Sequence, residues 1–92
     1  MDGTDVVEAI TLAVNLDRYP YISVDYYALD KDLENCWDHQ HWTPMDRRAN
    51  VRTEAGRLLR TAHINELNEL EQLGKTYDGL IIPGGRGVGW NL

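Results

Sequence analysis

Three groups of residues in this 92-residue chain have types and spacings that could do chemistry. The first is the turn Pro83-Gly84-Gly85, which ends the apolar run Gly79-Leu80-Ile81-Ile82. Such a run reads as a strand buried on both faces, and the glycines let backbone N–H groups approach a developing oxyanion with no Cβ in the way. The second is Glu8, three residues after Asp5. It is a carboxylate that could serve as a general acid or base, or simply complete a helix cap with Asp5. The third is the set Cys36, Asp38, His39 and His41. These are nucleophile and metal-ligand types, but they lack a zinc pattern such as C-x-x-C with a second ligand pair. No flanking feature activates Cys36, so it reads as a buried or half-buried thiol and the histidines as a solvated loop. The glycine cluster Gly84 to Gly89 fits neither G-x-G-x-x-G nor G-x-x-x-x-G-K-[ST], so no nucleotide is expected. No cofactor and no metal are expected either.

The elements that must position these groups follow from periodicity. Val6, Val7, Ala9, Ile10, Ala13, Val14 and Leu16 recur at helical spacing behind Asp5 as N-cap, predicting a helix to about Arg18. Tyr19-Pro20 breaks it, and the β-branched and aromatic stretch Tyr21 to Leu29 predicts a strand. Asp30 to Ala49 is polar without a clean period, a long loop with room for a short hairpin, in which Trp37 and Trp42 cover apolar surface or anchor a partner. Asn50 caps a second helix whose Val51, Ala55, Leu58 and Leu59 form an apolar stripe suited to packing on a sheet. Ile64, Leu67, Leu70 and Leu73 mark a short helix, or a strand edge leading into one, ended by Gly74. Gly79 to Ile82 is the final strand. Alternating helices and buried-type strands predict an α/β domain with a mainly parallel sheet, a single incomplete domain over 1–92.

Composition limits the partners. A formal charge of -6 disfavours nucleic acid, and Arg47, Arg48, Arg52, Arg57 and Arg60 lie among acidic neighbours as a solvated helix face. One cysteine gives no sign of an oxidising compartment, and no apolar stretch approaches the roughly 18 residues of a membrane span. The acidic start Met1 to Asp5 is unlike a signal or transit peptide. A soluble protein of the cytoplasm, or alternatively of the mitochondrial matrix, is expected.

Taken together, Asp2-Gly-Thr-Asp-Val-Val-Glu-Ala9, Asn50-Val-Arg-Thr-Glu-Ala-Gly-Arg-Leu-Leu-Arg60 and Tyr77 to Leu92 resemble the ElbB family. Its members are isoprenoid-biosynthesis glyoxalases and, in animals, a mitochondrial glutamine-amidotransferase-like protein, within the PfpI and Parkinson-disease deglycase superfamily of flavodoxin-like fold. The resemblance implies that Glu8 is the glutamate that shares a proton with a nucleophilic cysteine, and that Gly84 and Gly85 supply oxyanion N–H groups. Asp38-His39 lies near a family Asn-His or Asp-His pair.

The chain departs from that family in several places. The family's cysteine stands on a strand-to-helix elbow downstream of the Pro-Gly-Gly turn, beyond Leu92, and Cys36 is in the wrong place to replace it. The family's first strand, upstream of Asp2-Gly-Thr, is absent. Arg86 stands where an aromatic is common, and Val88-Gly89-Trp90 replaces a more usual Ala-Ala-Lys.

The expected fold is therefore a partial flavodoxin-like, class I glutamine amidotransferase-like three-layer fold lacking its first strand and C-terminal half. In that topology the first strand lies between the strand at Tyr21 to Leu29 and the strand at Gly79 to Ile82. The chain is expected to be marginally stable, to close this gap by pairing the two strands, or to pair edges with another copy. A truncated, catalytically inactive glyoxalase-like protein is the expected function. The alternatives are an active enzyme on a small 2-oxoaldehyde when other segments complete it, or a non-catalytic module that forms homo-oligomers or pairs with a full-length relative.

Overall fold

The computed structural model describes residues 3–60, 62–71 and 76–92. Asp2, Leu73 and Gly74, which entered the motif and helix-end readings above, lie outside the described residues.

The first helix, α1, spans Val6–Asp17, and Asp5 caps it as expected by accepting from the Glu8 N–H at 3.0 Å. Ala9, Ile10, Leu12, Ala13 and Leu16 are half-buried, whereas Val7 and Val14, seven residues apart on one face, are 75% and 58% exposed. Strand β1 is Tyr26–Ala28, shorter than the stretch Tyr21 to Leu29 that composition favoured. The reason is partnership, since only three positions meet a neighbouring chain, and β-propensity does not form a ladder without one. A hairpin follows, with β2 at Cys36–Asp38 antiparallel to β3 at Thr43–Met45.

Helix α2, Val51–Leu59, starts where the Asn50 side chain accepts from the Thr53 N–H at 3.0 Å. It packs on both β1 and β4, Ile64–Glu66, as its apolar stripe requires. β1 and β4 are parallel, with Tyr26 opposite Ile64 and Ala28 opposite Glu66. β4 runs into a 3-10 turn, Leu67–Glu69, so the strand edge leading into a helical turn is what forms.

The expected strand fails in the last quarter. Gly79 to Ile82 is not a strand, and it does not close a gap by pairing with β1, whose ladder is with β4. Leu80, Ile81 and Ile82 make no backbone hydrogen bond among the described residues. Apolar composition alone cannot make a strand when no ladder lies alongside. The segment after the turn is a short helix, α3, Arg86–Asn91.

Little of the molecule is fully enclosed. Cys36 and Ile64 are the buried hydrophobic residues among those described, each 7% exposed. The accessible surface is 7269 Å², against about 5,400 Å² for a folded monomer of this mass. The radius of gyration, 14.0 Å, likewise exceeds the roughly 12 Å of a compact chain this long.

With so small a core, caps carry an unusual share of stability. Asp5→Ala should cost about 1 kcal/mol. Asn50→Ala should cost about 2 kcal/mol, because the Asn50 amide also donates to Asp30 Oδ1 at 2.8 Å. Urea denaturation followed by circular dichroism measures both.

Candidate functional site

The sequence-predicted residues Glu8, Gly84 and Gly85 come together where the start of α1 meets the turn before α3. The Asp5 N–H donates to the Gly84 carbonyl at 2.7 Å. The Gly84 N–H donates to Glu8 Oε2, also at 2.7 Å. Both main-chain groups of Gly84 are thus taken by the first turn of α1, across 76 residues of sequence. Gly3 forms an antiparallel bridge with Gly87 beside them.

This geometry corrects the simplest account of Glu8. In a closed capping box its carboxylate would reach back to the Asp5 N–H, but that N–H is bonded to Gly84. Asp5 makes its half of the cap, while the Glu8 side chain is spent on the glycine turn. A carboxylate accepting from a backbone N–H makes a charge-assisted bond, shorter and stronger than a neutral one.

The two glycines leave room of different kinds. At Gly84 a Cβ would run into the Glu8 carboxylate. At Gly85, where φ is +117°, it would run into the Asp5 backbone nitrogen. The Gly85 N–H has no hydrogen-bond partner among the described residues, while the Gly84 N–H is occupied by Glu8. Chemically, the pair offers one open donor and one that a ligand oxygen could claim only by displacing a carboxylate.

Among the described residues, the other sequence candidates make no hydrogen bond to this centre. Cys36 is buried in β2, opposite Met45, with no side-chain bond to Glu8 or the glycines. Asp38 Oδ1 accepts from the Gln40 and His41 N–H groups, and Oδ2 pairs with His41 Nδ1 at 2.8 Å. These bonds, the His41 ring first, hold the Asp38 carboxyl below its usual range and show it closing the hairpin turn. His39 stacks edge-on against Trp42. Among the described residues no three His, Cys, Asp or Glu side chains are grouped to hold a metal ion.

Sequence reasoning placed Arg52 on a solvated helix face, and this is corrected. Its Nε donates to the Ile64 carbonyl at 2.9 Å and its Nη1 to Asp30 Oδ2 at 3.3 Å, tying α2 to the ends of β1 and β4. Arg47 and Arg57 do pair with Glu54 at the surface. Asp30 was legible only as the first residue of a loop, since its partners Asn50, Arg52 and Glu66 are all distant in sequence.

A tyrosine also went unread. The Tyr77 hydroxyl donates to Asp25 Oδ2 at 2.8 Å and lies 2.6 Å from the Tyr27 hydroxyl. The Tyr27 bond above all, then loss of solvent and the Asp25 carboxylate, raise the Tyr77 pKa and keep the phenol protonated. The final segment is therefore held at Tyr77 as well as at Gly84.

The two glycines should respond differently to a methyl group. Gly84→Ala meets a movable carboxylate, so a loss of about 1 kcal/mol is expected, largely abolished in a Glu8→Ala background. Gly85→Ala meets main chain at a left-handed φ, so about 2–3 kcal/mol is expected in either background. A double-mutant cycle in urea denaturation separates the two cases.

No protein-family model and no curated protein matches the chain. Among solved structures, the chain is similar to an isoprenoid biosynthesis protein with an amidotransferase-like domain from Ehrlichia chaffeensis. The TM-score is 0.83 at 28% sequence identity, over 99% of this chain and 41% of that one. The chain therefore spans under half the length of that protein, and over this span it has an amidotransferase-like, flavodoxin-like α/β fold.

Proposed function

We propose that the chain is the N-terminal part of an ElbB-like glyoxalase or class I glutamine amidotransferase-like protein, and that by itself it does not catalyse. The observation that carries this reading is the Glu8 carboxylate held against the Gly84 N–H at 2.7 Å, on the turn where the resemblance places an acid and its oxyanion donors. Likeness to the Ehrlichia protein over 99% of the chain supports the same assignment.

The chemistry needs three parts in reach of one another: a nucleophile, a base and an oxyanion site. In the proposed reaction a thiol adds to the aldehyde carbon of a small 2-oxoaldehyde. The sulfur–carbon bond forms, the carbonyl π bond breaks, and the thiol proton passes to Glu8. The aldehyde oxygen, now carrying the charge, would face the Gly85 N–H and the Gly84 N–H that Glu8 releases once protonated. Removing one such donor typically costs about 3 kcal/mol of barrier. No thiol is bonded to this centre among the described residues, because Cys36 is buried in the β2–β3 hairpin opposite Met45.

A non-catalytic interaction module is the second reading, favoured by the unpaired, exposed Leu80, Ile81 and Ile82. The purified chain should give no turnover of methylglyoxal above that of Glu8→Gln, at any protein concentration. Turnover that depends on Glu8 would show that Cys36 or an assembled oligomer completes the centre, and would overturn the proposal.

A further inference from the structure

We propose that the cleft along α2 binds a small phosphomonoester, with the phosphoryl oxygens over Gly56 and between Thr53, Arg60 and His63. The cleft measures about 360 Å³ and is lined wholly by residues between Asp30 and Ile64. That volume falls in the range of small-molecule sites. Neither α1 nor the segment 77–92 contributes to the lining. The cleft lies beside β4, which fills one edge of β1, whereas the first strand of a flavodoxin-like order belongs at the other edge.

Two residues of the lining depart from what folding alone asks for. Thr53, Gly56 and Arg60 fall at i, i+3 and i+7, along one face of α2 and its cap. Gly56 leaves that face without a side chain midway. Glycine inside a helix is unfavourable relative to alanine, and close packing does not demand it, since a Cβ at position 56 would meet nothing within 4 Å. The result is a notch floored by main chain. Arg60 ends the helix at φ +35°, a backbone that suits glycine and strains an arginine. Strain of this kind gathers at ligand sites.

Charge selects the ligand class. The side chains of Thr53, Arg60 and His63 make no hydrogen bond or ion pair among the described residues. The acidic groups around them are engaged already. Asp30 accepts from Asn50 and Arg52, Glu66 accepts from the Asp30 and Asn68 N–H groups, and Glu54 pairs with Arg47 and Arg57. In a chain of net -6, Arg60 is therefore an uncompensated cation at the notch. A guanidinium fork, a hydroxyl and an imidazole N–H match the three terminal oxygens of a phosphomonoester. The C-terminal end of the α2 dipole opposes an anion as it favours the Arg60 cation, so the guanidinium carries the affinity. Ala62 and Ile64 offer apolar contact to the organic group.

NMR titration of the isotope-labelled chain with phenyl phosphate, and separately with inorganic phosphate, tests this. Saturable shifts are expected at the Thr53, Gly56, Arg60 and His63 amides, with inorganic phosphate binding more weakly. Arg60→Gly should weaken ester binding by about tenfold or more, yet raise the thermal midpoint because it relieves the positive φ. Gly56→Leu fills the notch and should weaken binding as much. Arg57→Gln removes the same charge from outside the cleft and should leave affinity within about twofold. Far-UV circular dichroism checks folding, and if Gly56→Leu does not fold, Arg60→Gly alone decides. No saturable shift at these amides, or affinity indifferent to Arg60→Gly, would overturn the proposal. So would an equal loss in Arg57→Gln, or inorganic phosphate binding as tightly as the ester.

Discussion

The structure depends on the double hold that the first turn of α1 keeps on Gly84. The Asp5 amide takes the glycine carbonyl and the Glu8 carboxylate takes its N–H, so two segments 76 residues apart are fixed in one register. Closing a loop of that length costs about 4 kcal/mol in the length-dependent part of the chain entropy alone. One neutral and one charge-assisted hydrogen bond return a similar amount, about 2–4 kcal/mol together. The hold therefore survives only because α2, β1 and β4 have already shortened the path between its ends. It also explains the glycine at 85, where a Cβ would collide with the Asp5 backbone nitrogen, while at Gly84 a Cβ would meet the movable Glu8 carboxylate.

From this point the molecule divides into a settled half and an unsettled one. The settled half is the parallel pair β1–β4 under α2, closed by the Asp30, Asn50 and Arg52 bonds and by Ile64 beneath the helix. The unsettled half is the run from Tyr77 to Gly84, anchored at its ends and open between them. Helix α1 shares that condition, for it is apolar on more than one face yet leaves Val7 and Val14 in water. Its polar stripe is narrow, Glu8, Thr11 and Asn15, and Val7 and Val14 flank it as exposed apolar positions.

Much of this was legible in the sequence where the cause is local. Asp5 and Asn50 read as caps because a cap acts within three residues, and both make the bonds expected of them. The α2 stripe and the turn from strand to helix at Ile64 were legible for the same reason. The approach of Glu8 to Gly84 came from the family resemblance, since nothing in the spacing of two residues so far apart could reveal it. What could not be read depends on distant partners. Gly79 to Ile82 has a strand's composition but no ladder beside it. The helix α3, with two glycines inside, is poor in propensity and is stabilised by Asn91, which is 4% exposed. Asn91 donates to the Gly87 carbonyl at 2.7 Å and accepts from the Glu34 N–H at 3.2 Å.

The central claim is that Gly84 is held on both sides while the strand-like run before it is unpaired in the monomer. Amide hydrogen exchange by NMR, at a concentration where the chain is monomeric, tests it most directly. The account predicts protected amides at Asp5 and Gly84, with Leu80, Ile81 and Ile82 exchanging at rates near those of an unfolded peptide. Protection at Leu80 to Ile82 together with fast exchange at Gly84 would contradict it, and would mean that the monomer closes its own sheet.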